Sequence, residues 1–295
     1  MTIPRHPLFR SFLSCALAWA GLLACVAAGS ARAVPEDDRP VVSDTGVALE
    51  KPASGAVPTL WIAGDSTVKS NAPMRGWGQD LARFFDPAKL NVVNHAIGGR
   101  SSRTFYTEGR WQRLVDEVRP GDWVVIQFGH NDVGPTDARS KFRGSVKGIG
   151  DETEQVAKPD GTVETVHSFG WYLKTYVRTA REKGANVILC SPVPHKKFDD
   201  KGKFVRGWDG WRQWIETCAA ETGAIYIDLN ELISRGYDRA GQAQVETFFA
   251  DARTHTNEAG SLFNARALVG GLRALAGAPL DAYLSREGRA IPAAR

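Results

Sequence analysis

Five short apolar runs punctuate the chain, at residues 60–63, 92–97, 123–128, 187–190 and 225–227. None alternates apolar with polar positions, which is the pattern of parallel strands covered on both faces rather than of a sheet with one wet side. Between them lie stretches with helical spacing, at 77–85, 111–118, 169–183 and 208–221, with a further one at 258–275. Strand alternating with helix predicts an α/β domain, with one parallel sheet of about five strands wound on both faces by helices. In such sheets a ligand sits beyond the carboxyl ends of the strands, where the strand order reverses. Ser66, Gly99 and Asn131 each follow the end of a predicted strand, so three separate segments are expected to meet on one rim.

Two regions break this rhythm. Residues 137–167 are polar, charged and glycine-containing, and read either as a solvated insertion or as a hairpin or lid beside the site. At the other end, basic Arg5 and Arg10 precede an apolar run over 12–28 and a small-residue close, Ala31-Arg32-Ala33. That order is a secretory signal peptide over 1–33. The run is shorter than the roughly 20 apolar residues that span a bilayer, and no later segment is long enough. An exported protein, periplasmic or secreted and without stable membrane insertion, is expected. Leu22-Leu23-Ala24-Cys25 approximates a lipoprotein processing site, which leaves anchoring through Cys25 as the competing reading. Residues 34–58, polar and without a period, read as a linker or loosely packed lead-in, and 59–295 as the domain.

The formal charge of +4 falls to +1 when Arg5, Arg10 and Arg32 leave with the leader. The remaining cations are scattered, so a nucleic-acid partner is disfavoured. Cys15 and Cys25 belong to the leader, leaving Cys190 and Cys218 either as a bridge or as two buried thiols. They lie far apart without a histidine cluster, so no metal is expected, and the chemistry below requires no cofactor.

Ser66 sits in Gly64-Asp65-Ser66-Thr67, a tight turn after a strand. Serine is a poor nucleophile unless a base takes its proton. His255, in Thr254-His255-Thr256-Asn257 just before a helix, is the best placed histidine, and Asp251 four residues earlier can accept its other ring N–H. Attack on an ester carbonyl places charge on oxygen, and each donor aimed there typically lowers the barrier by about 3 to 4 kcal/mol. The backbone N–H groups of Ser66 and Gly99 and the side-chain amide of Asn131 are the expected oxyanion donors.

These blocks resemble the SGNH (GDSL-like) hydrolases. More narrowly, Gly98-Gly99-Arg100-Ser101, Gln127-Phe128-Gly129-His130-Asn131-Asp132, Ser191-Pro192-Val193-Pro194 and Thr254-His255-Thr256-Asn257 are similar to those of rhamnogalacturonan acetylesterases. The resemblance implies a three-layer flavodoxin-like fold and removal of acetyl groups from pectic polysaccharide. It also implies Ser66 as nucleophile, His255 as base, Asp251 as its partner, and Gly99 and Asn131 as oxyanion donors. In that family the aspartate usually stands three residues before the histidine. Here Ala252 fills that place, and Asp251, four residues before His255, remains the expected partner.

For the sugar, Trp77, Arg100, His195 and Trp208 are the candidate substrate-binding residues, with Trp171, Trp211 and Trp214 as further aromatic surfaces. Trp208, Trp211 and Trp214 recur every third residue, a stripe that is equally the mark of a core face. His195-Lys196-Lys197 with Lys201, Lys203 and Arg206 reads either as a solvated basic loop or as a cationic wall for an anionic uronate polymer. The same machinery acting on another acetylated glycan such as xylan, and an inactive carbohydrate-binding protein, are the alternative readings.

Overall fold

The computed structural model describes residues 49–294; the expected leader with Cys25 and most of the lead-in lie outside them. Along the chain run β1 (Thr59–Gly64), β2 (Asn91–Asn94), α1 (Ser102–Thr107), α2 (Arg110–Glu117), β3 (Trp123–Gln127), β4 (Thr153–Ala157), β5 (Val163–His167) and α3 (Phe169–Glu182). They are followed by β6 (Asn186–Cys190), α4 (Asp209–Thr222), β7 (Ile225–Ile227), α5 (Leu229–Ala240), α6 (Gln242–Glu246), α7 (Glu258–Arg273) and α8 (Arg286–Arg289). Five strands form a parallel sheet in the order β2-β1-β3-β6-β7, while β4 and β5 pair separately as an antiparallel hairpin. Leaving the hairpin aside, this is the flavodoxin order, whose direction reverses between β1 and β3.

The unbroken apolar runs are explained by the layers. Leu60 and Ile62 face a core cluster with α5 and α7, whereas Trp61 and Ala63 face a second cluster with α1 to α4. Successive strand side chains point to opposite faces, so both parities must be apolar when both faces are covered. Cys190 faces the first cluster and Cys218 the second, both as buried free thiols. The described part of the lead-in lies along the edge strand: Ser54 exchanges hydrogen bonds with the Asn91 side chain, and the Glu50 carbonyl accepts from His95 Nε2 at 2.8 Å.

Several elements differ from expectation. Residues 77–85 form no α-helix but two short 3-10 turns, Trp77–Gln79 and Leu81–Phe84. A Cβ on Gly78 would lie 2.6 Å from Asn94 Nδ2, so this segment is moulded by close packing on β2 rather than by helical propensity. Helix α5, unpredicted like the shorter α1, α6 and α8, is capped by Asp228, whose carboxylate accepts from the Glu231 amide, and buries Leu229, Ile233 and Tyr237 at four-residue spacing.

Candidate active site

β1 ends at Gly64, where a Cβ would meet Val68 Cγ2 at 2.4 Å, so only glycine allows the turn. Asp65 is fully buried and folds back on the turn, with Oδ1 accepting from the Thr67 amide at 2.8 Å and its hydroxyl at 2.7 Å. The Val68 and Lys69 amides donate to the Asp65 carbonyl. Burial alone would raise the Asp65 pKa, but neighbouring His130 and the Thr67 donors outweigh it and hold the carboxyl below its usual value. Behind the turn, Gln127 donates to Thr67 Oγ1 at 2.9 Å and accepts from Trp77 Nε1 at 2.8 Å. Trp77 is therefore no sugar platform. Its side chain has no exposed surface, and its one polar atom is engaged beneath the turn.

The Ser66 hydroxyl lies 2.8 Å from His255 Nε2, and His255 Nδ1 lies 2.5 Å from Asp251 Oδ2. The other carboxylate oxygen, Oδ1, accepts from the backbone amides of Arg253, Thr254 and His255 at 2.8, 2.6 and 3.1 Å. The carboxylate thus nests inside its own turn, which the Ala250 amide closes on the His255 carbonyl, and the extra residue at Ala252 is taken up there. Burial pushes the Asp251 pKa up, but these amides and the imidazole more than offset it and hold the group well below the usual carboxylate range. Facing an ionised carboxylate, Nδ1 carries the ring proton, and Nε2 is left to accept from serine.

Gly99 sits at φ +78°, in the left-handed region, and its neighbour Gly98 lies beside Ser66, where a Cβ would make an ordinary 3.6 Å contact with Ser66 Cβ. Among the described residues the amides of Ser66 and Gly99 donate to no protein acceptor. Asn131 follows the turn at Gly129, where a Cβ would lie 2.7 Å from Pro192. Its Nδ2 donates to the Arg100 carbonyl at 2.9 Å, and its Oδ1 accepts from Arg143 Nη1 at 2.9 Å. An amide nitrogen carries two N–H donors, so one remains. Next to it, buried Asp132 accepts from the Ser102 amide and hydroxyl and from the Ser145 hydroxyl, and burial pushes its pKa up to about 6.

Ser66, Gly99, Asn131 and His255 line one open cleft of about 920 Å³. His195 also lines it, and burial lowers its pKa to about 3, so it contributes a neutral ring. Trp208, at φ +67°, packs its indole against the rings of His130 and His195, with centroids 4.9 and 5.1 Å away. Arg100 is engaged elsewhere, donating to Glu108 at 3.0 Å and to the Gly98 carbonyl at 3.2 Å, and does not line the cleft. Of the basic stretch, Lys196 pairs with Glu246 and Arg206 with Glu231 and Asp238, Lys197, Lys201 and Lys203 are exposed, and none of the five lines the cleft. The cations that do line the cleft are Lys69, Arg143 and Arg253. Lys69 and Arg253 stand three and two residues from Ser66 and His255, a proximity that could have flagged them. Nothing in the pattern around Arg143 does so. Among the described residues no group of three metal-ligating side chains occurs.

Residues 62–262 match the GDSL-like lipase/acylhydrolase family. The chain is 36% identical over 208 residues to a rhamnogalacturonan acetylesterase of Emericella nidulans, covering 70% of this chain and 82% of that protein. It is 32% identical over 236 residues to a probable rhamnogalacturonan acetylesterase of Bacillus subtilis, covering 77% and 98%. Among solved structures it resembles the Bacillus subtilis protein YxiM, with a TM-score of 0.59 and 26% identity over 74% of this chain. This chain spans 56% of that structure, little more than half its length. A family match over most of the domain, joined to the flavodoxin order and the cleft at its reversal point, establishes that the chain belongs to the GDSL-like lipase/acylhydrolase family and is a carboxylic ester hydrolase.

Proposed function

We propose that this chain is an exported esterase that removes O-acetyl groups from pectic polysaccharide of the rhamnogalacturonan type through an acetyl-serine intermediate. The observation that carries the reading is the unbroken chain from Ser66 Oγ through His255 to Asp251, opening on a cleft large enough for sugar rings. Ser66 Oγ attacks the acetyl carbonyl as His255 Nε2 takes its proton. The amides of Ser66 and Gly99 and the spare N–H of Asn131 receive the oxyanion. Collapse expels the sugar oxygen, which takes the proton from His255 and leaves acetyl-Ser66. Water, deprotonated by the same nitrogen, then releases acetate.

The glycan assignment is supported by the names of the relatives and by Lys69, Arg143 and Arg253 around the cleft, since a cationic rim favours an anionic uronate polymer over neutral xylan. Export rests on residues 1–33. Full-length chain expressed in a bacterial host is expected outside the cytoplasm and shortened by the leader; full-length cytoplasmic protein argues against it. For the chemistry, wild type is expected to hydrolyse a small chromogenic acetate, and Ser66→Ala to lose at least about a thousandfold in kcat. An inactive wild type, or an active alanine variant, overturns the esterase mechanism. Acetate release from acetylated rhamnogalacturonan, homogalacturonan and xylan tests the substrate, and preference for xylan removes the pectic assignment.

A further inference from the structure

Resting on that esterase reading, we infer that Arg143 is a positioning residue for the oxyanion site, acting through Asn131. Arg143 Nη1 donates to Asn131 Oδ1 at 2.9 Å, and its Nε donates to the Ser140 carbonyl at 3.0 Å. Nη1 also reaches the Gly99 carbonyl at 3.5 Å. All these partners are neutral oxygens. Among the described residues no carboxylate pairs with this guanidinium, whereas Arg100 and Arg103 each hold a glutamate. Its positive charge is therefore not neutralised by a carboxylate where it meets the Asn131 amide.

A donor-only group on Oδ1 and a carbonyl on Nδ2 fix which way the amide is turned, so the spare N–H has one direction. A cation on Oδ1 also polarises the amide and strengthens that N–H as a donor. The backbone is built to deliver this side chain. Lys141 and Phe142, immediately before it, both occupy the left-handed region at φ +60° and +59°, where side-chain-bearing residues are strained. Immediately after it, Gly144 has no room for a Cβ, which would fall 2.1 Å from the Gly134 carbonyl oxygen. The Gly144 carbonyl accepts from buried Arg103, and the Ser145 hydroxyl donates to Asp132, the neighbour of Asn131. Strain held between such anchors marks a segment whose conformation serves a placement.

A double-mutant cycle on a small chromogenic acetate tests this. Arg143→Ala is expected to lower kcat about tenfold with KM nearly unchanged, and Arg143→Lys to fall between it and wild type. In an Asn131→Ala background the Arg143→Ala loss shrinks to less than about twofold, because the group it acts through is gone. Should Arg143→Ala fold poorly, Arg143→Met keeps the stem and serves in the same cycle. An undiminished loss in the Asn131→Ala background, or an effect confined to KM, overturns the inference while leaving the esterase reading intact. A wild type without esterase activity overturns that reading, and the inference with it.

Discussion

Two loops border the cleft, and they are held by opposite means. The loop over residues 250–255 holds itself: one carboxylate, Asp251, accepts three amides of its own turn and orients His255 with its remaining oxygen. The segment between β3 and α3, which carries Arg143 and the β4–β5 hairpin, is held from outside. Buried Arg103 of α1 binds Glu164 with two nitrogens and the Thr136 and Gly144 carbonyls with a third, while Ser102 of the same helix donates its amide and hydroxyl to Asp132. Far from being an open lid, that segment is pinned by a side chain with no exposed surface. A local clamp confines its function to one loop, whereas a remote clamp makes the loop's geometry depend on the body of the domain.

The comparison breaks most sharply at Asp251. Asp251→Asn keeps an oxygen for the three amides but presents an N–H₂ to the ring, so kcat is expected to fall by about 10⁴-fold through the wrong tautomer, with little change in thermal stability. Steady-state kinetics and a melting curve check it; a near-normal rate means another group orients His255. At the other loop the signs reverse. Glu164→Leu leaves the Arg103 guanidinium buried without its carboxylate and is expected to cost about 3 kcal/mol in urea unfolding. A loss under about 1 kcal/mol would show that the two carbonyls suffice to hold the insertion.

Asp132 sharpens the same contrast through pH. Burial lifts its carboxyl to about 6, so the native state binds the proton more tightly than the unfolded chain, and the cost of ionising it appears as pH rises from about 4 to about 6. Relative to wild type, Asp132→Asn is expected to gain about 2 kcal/mol between pH 4 and pH 7, read from paired denaturation curves. A pH-independent difference would show that the Ser102 and Ser145 hydroxyls already compensate the charge. The smallest effect belongs to the hairpin's outer surface. Gln155→Ala, which removes a cross-strand bond to Thr165, is expected to change stability by less than about 0.5 kcal/mol, in keeping with a segment anchored through Glu164 rather than through its exposed cross-strand pairs.

These differences also mark what was legible in sequence. The five sheet strands announced themselves because burial on both faces makes each of them continuously apolar. Ser66, His255 and Asp251 were legible because each lies in a short turn whose own side chains build it. Trp77 was misread: aromatic side chains suit a sugar face and a core equally, and its engagement with Gln127 spans fifty residues. For the basic stretch at 195–206 the sequence left a solvated loop and a cleft wall open, and could not choose because the partners of Lys196 and Arg206, Glu246, Glu231 and Asp238, come from α5 and α6, outside any local window. Arg143 had no periodicity to announce it, because the segment that delivers it is irregular and partly left-handed. The helix α5, by contrast, did carry a signal, in the cap at Asp228 and the four-residue spacing of Leu229, Ile233 and Tyr237.

The two described cysteines lie on opposite sides of the sheet, each sealed in its own layer with its thiol pKa raised by burial. Neither can reach the other without taking the sheet apart, and neither presents a thiolate to an oxidant. The folded domain consequently draws no stability from a bridge between Cys190 and Cys218, and thiol reductants should leave its melting temperature unchanged.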